Sequence, residues 1–296
     1  MTTLRHALDA GARRLAAAGI ETARLDARLL LCHAVPCPPE AIIGHGERPL
    51  ATAAAARFDA ALARRQAREP VALITGRREF WTLDLRVTSA TLSPRPESET
   101  VVEAALNRVR DKQAPLRLLD LGTGTGCLLL ALLTELPAAR GLGIDRSAAV
   151  VATALRNARE HGVDGRADFV VGDWARAIRE SFDVVVANPP YIPSGTIEAL
   201  EPEVARHEPR AALDGGADGL DAYRAILPDL PRLARPGAVV ALEVGAGQAA
   251  WVAGRLVDLA FEAVAVVPDL AGIGRVVLAQ VPKAPKKSLG LAPDVR

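Results

Sequence analysis

The 296-residue sequence predicts an α/β fold: a mostly parallel sheet covered by helices on both faces, preceded by a small helical module. Three observations carry this. From Leu116 onward, short apolar runs alternate with segments of helical period. The runs are nearly continuous in apolar character, as strands buried on both faces require. Residues 1–70, by contrast, hold only helical patterns.

Leu4, Leu8, Ala12, Leu15 and Ala18 recur at helical spacing and predict a first helix to about Ala18, with Gly11 weakening its interior. Thr22 is the expected N-cap of a second helix carrying Leu25, Leu29 and Leu30. Pro36, Pro38 and Pro39 punctuate, and another short helix is expected after them. Ala51 to Arg68 reads as a further helix with Phe58 and Leu62 on one face. Phe80 to Val87 alternates apolar with polar residues and predicts a strand or hairpin. Pro94 and Pro96 then precede a helical run from about Ser98 to Arg110.

The alternating region begins with a strand at Leu116–Leu121 and a helix at Cys127–Leu136. Strands are expected at Gly141–Ile144, Asp168–Val171 and Phe182–Ala187, with a helix at Ala148–His161. Tyr223–Leu233 and Ala249–Leu259 read as helices; Ala238–Val244, Val264–Val267 and Val276–Ala279 read as strands. The expected organisation is a helical domain over residues 1–72, a hairpin and linker over 73–97, the sheet domain over 98–281, and a flexible tail over 282–296.

Composition bounds the function. A hydrophobic share of 50% fills a real core, while 3% aromatics leaves few stacking platforms for unpaired bases. Lys+Arg 36 against Asp+Glu 35 advertises no polyanionic partner. The arginines of the first module (Arg13, Arg14, Arg64, Arg65, Arg68) read as solvated helix faces. Three cysteines, Cys32, Cys37 and Cys127, fit a reducing compartment better than a disulfide framework, and no second ligand pair follows Cys32-His33-Cys37 to build a zinc site. With no apolar segment of spanning length and no signal-peptide core, the expectation is a cytoplasmic protein without a membrane partner. No long coiled-coil pattern is present, so a monomer is expected.

Asp120-Leu121-Gly122-Thr123-Gly124-Thr125-Gly126 directly follows the first strand of the alternating region. Glycines there let a ligand approach the main chain. Their G-x-G-x-G spacing departs from the dinucleotide G-x-G-x-x-G and favours a nucleoside without a pyrophosphate. Asp145 ends the second strand, where a carboxylate can accept from both ribose hydroxyls or, alternatively, cap the next helix as Ser147 could. Gly172-Asp173-Trp174 follows the third strand, at the place of an adenine ring: Asp173 can accept from an exocyclic amine, and Trp174 can stack, wall the pocket or serve as core.

Asn188-Pro189-Pro190-Tyr191 ends the fourth strand, facing the glycine loop if ligands bind beyond the strands' carboxyl ends. The Asn188 side-chain oxygen and the Pro189 carbonyl give two acceptors for one NH2 group. Pro189 and Pro190 stiffen the turn and remove competing donors. Tyr191 offers a face to a planar group. Such an arrangement suits a nitrogen with a conjugated lone pair.

These motifs resemble the class I methyltransferases, whose fold is a Rossmann-like, mostly parallel sheet and whose (Asn/Asp/Ser)-Pro-Pro-aromatic members act on DNA, RNA or protein glutamine. Thr75–Trp81, Pro94–Glu99, Glu208-Pro209, Leu213–Leu220, Asp26–Leu31 and the helix of Asn157 further resemble the HemK-like (PrmC) peptide chain release factor glutamine methyltransferase family, nearly to Ala279. The resemblance implies S-adenosyl-L-methionine as cofactor, bound by Gly122–Gly126, Asp145, Trp174 and Asn188, with Asp173 joining them on the reading given above. It implies release factors as substrate, their Gly-Gly-Gln glutamine held by Asn188, Pro189, Pro190 and Tyr191, with residues 1–72 docking the factor and no nucleic acid required. Gly274 stands where the family has an acidic or polar residue, and Ser98 where it more often has Thr.

Two readings compete. A nucleic-acid methyltransferase would use the same Asn188–Tyr191 chemistry on an exocyclic base amine, but would need a basic stripe and an unstacked base. A nicotinamide dehydrogenase is disfavoured by the glycine spacing and by the lack of a catalytic His or Lys motif.

Overall fold

The computed structural model describes residues 2–37, 42 and 44–283. The helices α1 (Leu4–Ala17), α2 (Ala23–Ala34), α3 (Thr52–Gln66) and α4 (Val71–Thr75) come first among the described residues. Leu4, Leu8 and Leu15 from α1, Leu30 and Leu31 from α2, and Phe58 and Leu62 from α3 are buried together in one apolar cluster. The α1 N-terminus is capped by the Thr3 side chain accepting from His6 N. Thr22 stands at the N-cap of α2 but makes no side-chain cap bond, since its backbone is not extended there. The short helix expected after Pro39 falls largely on residues outside those described, and so does the tail beyond Lys283.

A hairpin of β1 (Arg77–Phe80) and β2 (Leu83–Arg86) leads into a 3-10 turn at Pro96–Ser98 and α5 (Glu99–Arg108). The main sheet is built from β3 (Arg117–Leu121), β4 (Arg140–Asp145), β5 (Ala167–Val171), β6 (Phe182–Ala187), β7 (Ala234–Glu243), β8 (Glu262–Pro268) and β9 (Gly274–Gln280). Its order is β5-β4-β3-β6-β7-β9-β8. The first five positions are parallel, and β9 pairs antiparallel with both β7 and β8. Helices α6 (Cys127–Glu135) and α7 (Ala148–Glu160) connect the parallel strands, and α12 (Ala249–Asp258) packs beside the last ones. One buried apolar cluster lies under α5, α6 and α7; a second holds Leu119, Leu121, Val185 and Tyr223.

Between β6 and β7 the chain forms a 3-10 turn at Ser194–Ala199, then α8 (Pro202–His207), α9 (Arg210–Leu213), α10 (Asp221–Ile226), a 3-10 turn at Leu227–Asp229 and α11 (Leu230–Leu233). The single helix expected over Tyr223–Leu233 is broken because Pro228 and Pro231 cannot donate to a helical ladder.

The expectation of solvated arginines fails for Arg65, which is 6% exposed. Its guanidinium donates to Asp26 Oδ2 at 2.7 Å and to Glu203 Oε1 at 2.9 Å. Arg68 also reaches Glu203, at 3.1 Å. A buried ion network thus ties α2 and α3 of the first module to α8, which lies beyond β6. No helix among the described residues is long and apolar enough to cross a membrane.

Candidate active site

The chain leaves β3 toward β4 on one side and later returns to lay β6 on the other. A crevice therefore opens at the carboxyl ends of β3 and β6, where an open α/β sheet binds ligands. It holds about 1110 Å³ of empty space, part of it open to solvent. Gly122, Thr123, Gly124, Thr125, Asp145, Asp173, Trp174, Asn188 and Pro190 all line it. Gly126, Pro189 and Tyr191 do not.

The glycine loop turns because Gly122, Gly124 and Gly126 sit in the left-handed region. Gly122 N and Thr123 N both donate to Ile144 O at 2.9 Å, which binds the loop to the end of β4. Gly126 N closes the turn onto Thr123 O at 2.8 Å. Asn157, fully buried on α7, donates to Thr125 O and to Arg86 O, and accepts from Arg86 N. One side chain thereby fixes the hairpin against the loop, which accounts for the family-like residues of that helix.

Asp145 is not the cap of α7; Ser147 is, its hydroxyl accepting from Val150 N. The Asp145 carboxylate accepts from Gly124 N at 3.3 Å and Ser147 N at 3.0 Å, at the mouth of the cleft. Trp174 packs against the apolar core and also walls the cleft, its ring 3.3 Å from where a Cβ on Gly122 would lie. Asp173 pairs with Arg176 at 2.9 Å.

Asp120, at 1% exposure, lies beneath the loop. Its Oδ2 accepts from Thr123 Oγ1 at 2.7 Å, while Oδ1 has no partner among the described residues. Burial pushes this carboxyl up to about 7, against the pull of the Thr123 and Leu129 hydrogen bonds and with some help from Asp145. Thr125 Oγ1 is likewise a buried polar atom without a partner among the described residues. An unsatisfied carboxyl oxygen and an unsatisfied hydroxyl beside a cleft are costly unless a polar ligand completes them.

Asn188 donates through Nδ2 to Ser98 Oγ at 2.9 Å. Pro189 is buried. Tyr191 packs on the core beside β7, and its hydroxyl donates to Glu243 Oε1 at 3.2 Å. Glu243, at 1% exposure, was not singled out by sequence reasoning. The available signal was an acid near the end of the apolar run Ala238–Val244. Burial pushes its carboxyl up to about 7, against hydrogen bonding from Ser98, the Arg275 charge and the Tyr191 hydroxyl, with Glu97 adding to the rise.

The segment Leu213–Leu220 buttresses this turn. Ile192 N donates to Leu213 O and Gly215 N to Ile192 O. Gln248 Nε2 donates to Tyr191 O at 2.9 Å and to Gly219 O at 3.2 Å. Pro209, Ala211 and Ala212 cover the cleft, and Arg95 beside them pairs with the buried Glu208. Gly274 faces Val266, whose Cγ1 would lie 2.8 Å from an added Cβ, so a longer side chain there would need a shift.

A sheet of this order, with a crevice at its switch point, is the framework of the class I methyltransferases, and a methyltransferase domain model matches residues 112–247. A methyltransferase from Pyrococcus furiosus shares the fold at a TM-score of 0.52 and 17% identity, over 75% of this chain and 100% of that one. The chain belongs to the release factor glutamine methyltransferase family. The PrmC N-terminal domain model matches residues 6–76. A release factor glutamine methyltransferase of Rhodospirillum rubrum is 50% identical over 92% of this chain and 83% of its own length. Another, of Cereibacter sphaeroides, is 48% identical over 94% of this chain and 98% of its own. S-adenosylmethionine is the cofactor of this class. The donor set fits it: free acceptors on Asp120 and Thr125 suit a ligand amine, and Asp145 suits a ribose.

Proposed function

We infer that the chain transfers the methyl group of S-adenosylmethionine to the side-chain amide nitrogen of the glutamine in the Gly-Gly-Gln motif of peptide chain release factors. The observation that carries the reading is the placement of Asn188: it lines the same cleft as the glycine loop, and its Nδ2 is already engaged by Ser98. Its Oδ1 is left to accept from an incoming NH2 group.

When bound, the cofactor supplies an electrophilic methyl group. The protein's work is alignment and exclusion of water, and near-attack positioning can contribute roughly 7–11 kcal/mol. Gly122, Thr123, Gly124 and Thr125, with Asp145, Asp173 and Trp174, hold the nucleoside and amino-acid ends. Asn188 Oδ1 and the Pro189 carbonyl accept from the glutamine NH2 and keep its lone pair directed at the methyl group. Pro190 shapes the wall. Tyr191, turned away from the cleft, acts by bracing the turn from behind. Residues 1–72 dock the release factor and residues 98–281 perform the transfer; the buried Arg65 network, which joins the helical module to the α8 segment, supports a fixed arrangement of the two. The enzyme works as a cytoplasmic monomer and needs neither nucleic acid nor a membrane.

Labelled S-adenosylmethionine incubated with a purified release factor, its Gln→Ala variant, DNA and RNA tests this. Label is expected on the intact factor alone; label on nucleic acid alone would overturn the substrate assignment.

A further inference from the structure

We propose that Glu203 is a positioning residue through which the helical module holds one wall of the cleft in place. The proposal rests on the reading of that cleft as the cofactor site.

The wall is built from Pro209, Ala211 and Ala212. Ala211 also lines a second hollow, about 900 Å³ of empty space that is partly open to solvent. It shares that hollow with Arg146, Trp174 and Pro190, all of which line the first cleft too. A shift of Ala211 therefore changes the width of the cleft next to Trp174 and Pro190.

The wall segment has little apolar anchorage of its own. α8 buries none of its residues, and α9 has four residues and buries Leu213 alone. Helices this short persist only through packing on their surroundings, and here that packing is slight. Polar ties set the position of the segment instead. At its far end Leu213 O accepts from Ile192 N at 3.0 Å, and Gly215 N donates to Ile192 O at 2.9 Å, which fastens it beside the Asn-Pro-Pro-Tyr turn. Midway, Arg95 pairs with the buried Glu208 at 2.5 Å.

The near end is tied to the helical module. Glu203 Oε1 accepts from Arg65 at 2.9 Å and from Arg68 at 3.1 Å. Arg65 is itself fixed by donating to Asp26 at 2.7 Å. The Arg65 and Glu203 side chains are only 7% and 17% exposed, so these charge-assisted bonds are poorly screened and directional. His207 Nε2, 3.3 Å from Ala67 O, makes a weaker contact with the chain just after α3. α8 thus hangs on the end of α3, and the wall lies between that attachment and the turn that carries Asn188. Among the described residues of the module, none lines the cleft. The module acts on the cofactor through Glu203.

The test is hydrogen–deuterium exchange and calorimetric S-adenosylmethionine binding by the full-length chain, unaltered and as Glu203→Ala, Glu203→Gln and Arg68→Ala. In Glu203→Ala the amides of Ala212 and Asp214, which donate to Pro209 O and Arg210 O, are expected to exchange roughly tenfold faster, the scale of one charge-assisted hydrogen bond. Cofactor affinity is expected to fall several-fold, while exchange in β3, β4 and β6 stays as it was. Glu203→Gln keeps an acceptor oxygen and is expected to recover most of both effects. Arg68→Ala leaves Arg65 on Glu203 and is expected to give a smaller rise in exchange over the same residues. Unchanged exchange at Ala212 and Asp214, unchanged cofactor affinity, faster exchange spread through the sheet, or no recovery in Glu203→Gln would overturn the proposal. Should Glu203→Ala not fold, Arg68→Ala decides it, and no rise at these amides would overturn it. If S-adenosylmethionine failed to slow exchange over residues 122–126 in the unaltered chain, the reading of the cleft as cofactor site would fall instead, and this proposal with it.

Discussion

The side-chain amide of Asn188 donates to the Ser98 hydroxyl across 2.9 Å, joining the end of β6 to the turn that begins α5. In the proposed reading that contact positions the acceptor, and the glycine loop that would hold the cofactor lines the same cleft. Asn188→Ala is therefore expected to retain cofactor affinity and to lose turnover by about a hundredfold, the scale of a misplaced reacting group. Calorimetry against single-turnover methylation separates the two. Equal losses in both would contradict the division of roles.

Asp145→Ala is expected to do the reverse, costing roughly 1.5–3 kcal/mol of cofactor affinity through lost charged hydrogen bonds. The loop amides of Gly124 and Ser147 lose an acceptor as well, so melting should be recorded alongside. Unchanged affinity would remove Asp145 from the cofactor site.

Gly219 marks a backbone crossing. Its φ is 78°, and an added Cβ would lie 2.3 Å from Tyr191 O. Gly219→Ala must displace the Asn-Pro-Pro-Tyr turn or Gln248, so activity should fall far more than cofactor binding. Full activity in this variant would show that the turn tolerates movement.

The buried network of Arg65, Asp26 and Glu203 should be expensive to break. Arg65→Ala leaves two carboxylates facing a poorly solvated gap and is expected to cost about 3–5 kcal/mol of stability. Denaturant melts measure this directly, and a change under about 1 kcal/mol would place the network with ordinary surface pairs.

Two carboxyls, Asp120 and Glu243, are each held up to about 7 in the folded chain. The ordinary values are 3.8 and 4.5, so between about pH 4 and 7 the unfolded chain binds fewer protons at these groups than the fold does. Their contribution to stability is full below that window, falls as pH rises through it, and levels off above about 7. Arg275, Glu97, Tyr191 and Ser98 surround Glu243, and Asp145 and Thr123 are beside Asp120. Thermal melts of Asp120→Asn and Glu243→Gln across this range should show a smaller decline than the unaltered chain. Parallel curves would contradict the assignment.

Much of this was legible in the sequence for physical reasons. β6 could be read to the residue because its apolar run stops at Asn188-Pro189, and the glycine loop because no other residue so readily adopts left-handed backbone. Asp145 could be placed at a strand end, but setting aside the helix-cap role needed the Ser147 bond. Tyr191 has the right chemistry to pack on a substrate, yet a residue's direction out of a turn is not encoded in its type, and the fold turns it to Glu243. Arg65 looked like its solvated neighbours because burial of a charge depends on partners, Asp26 and Glu203, that are distant in sequence. The short helices α8 and α9 escaped for want of a periodic pattern: they span only six and four residues.

The most direct measurement is fragmentation mass spectrometry of a release factor after incubation with the enzyme and S-adenosylmethionine. A single added methyl group on the side-chain amide nitrogen of the Gly-Gly-Gln glutamine is the expected result. A factor left unmodified, or methylated at any other residue, would contradict the account.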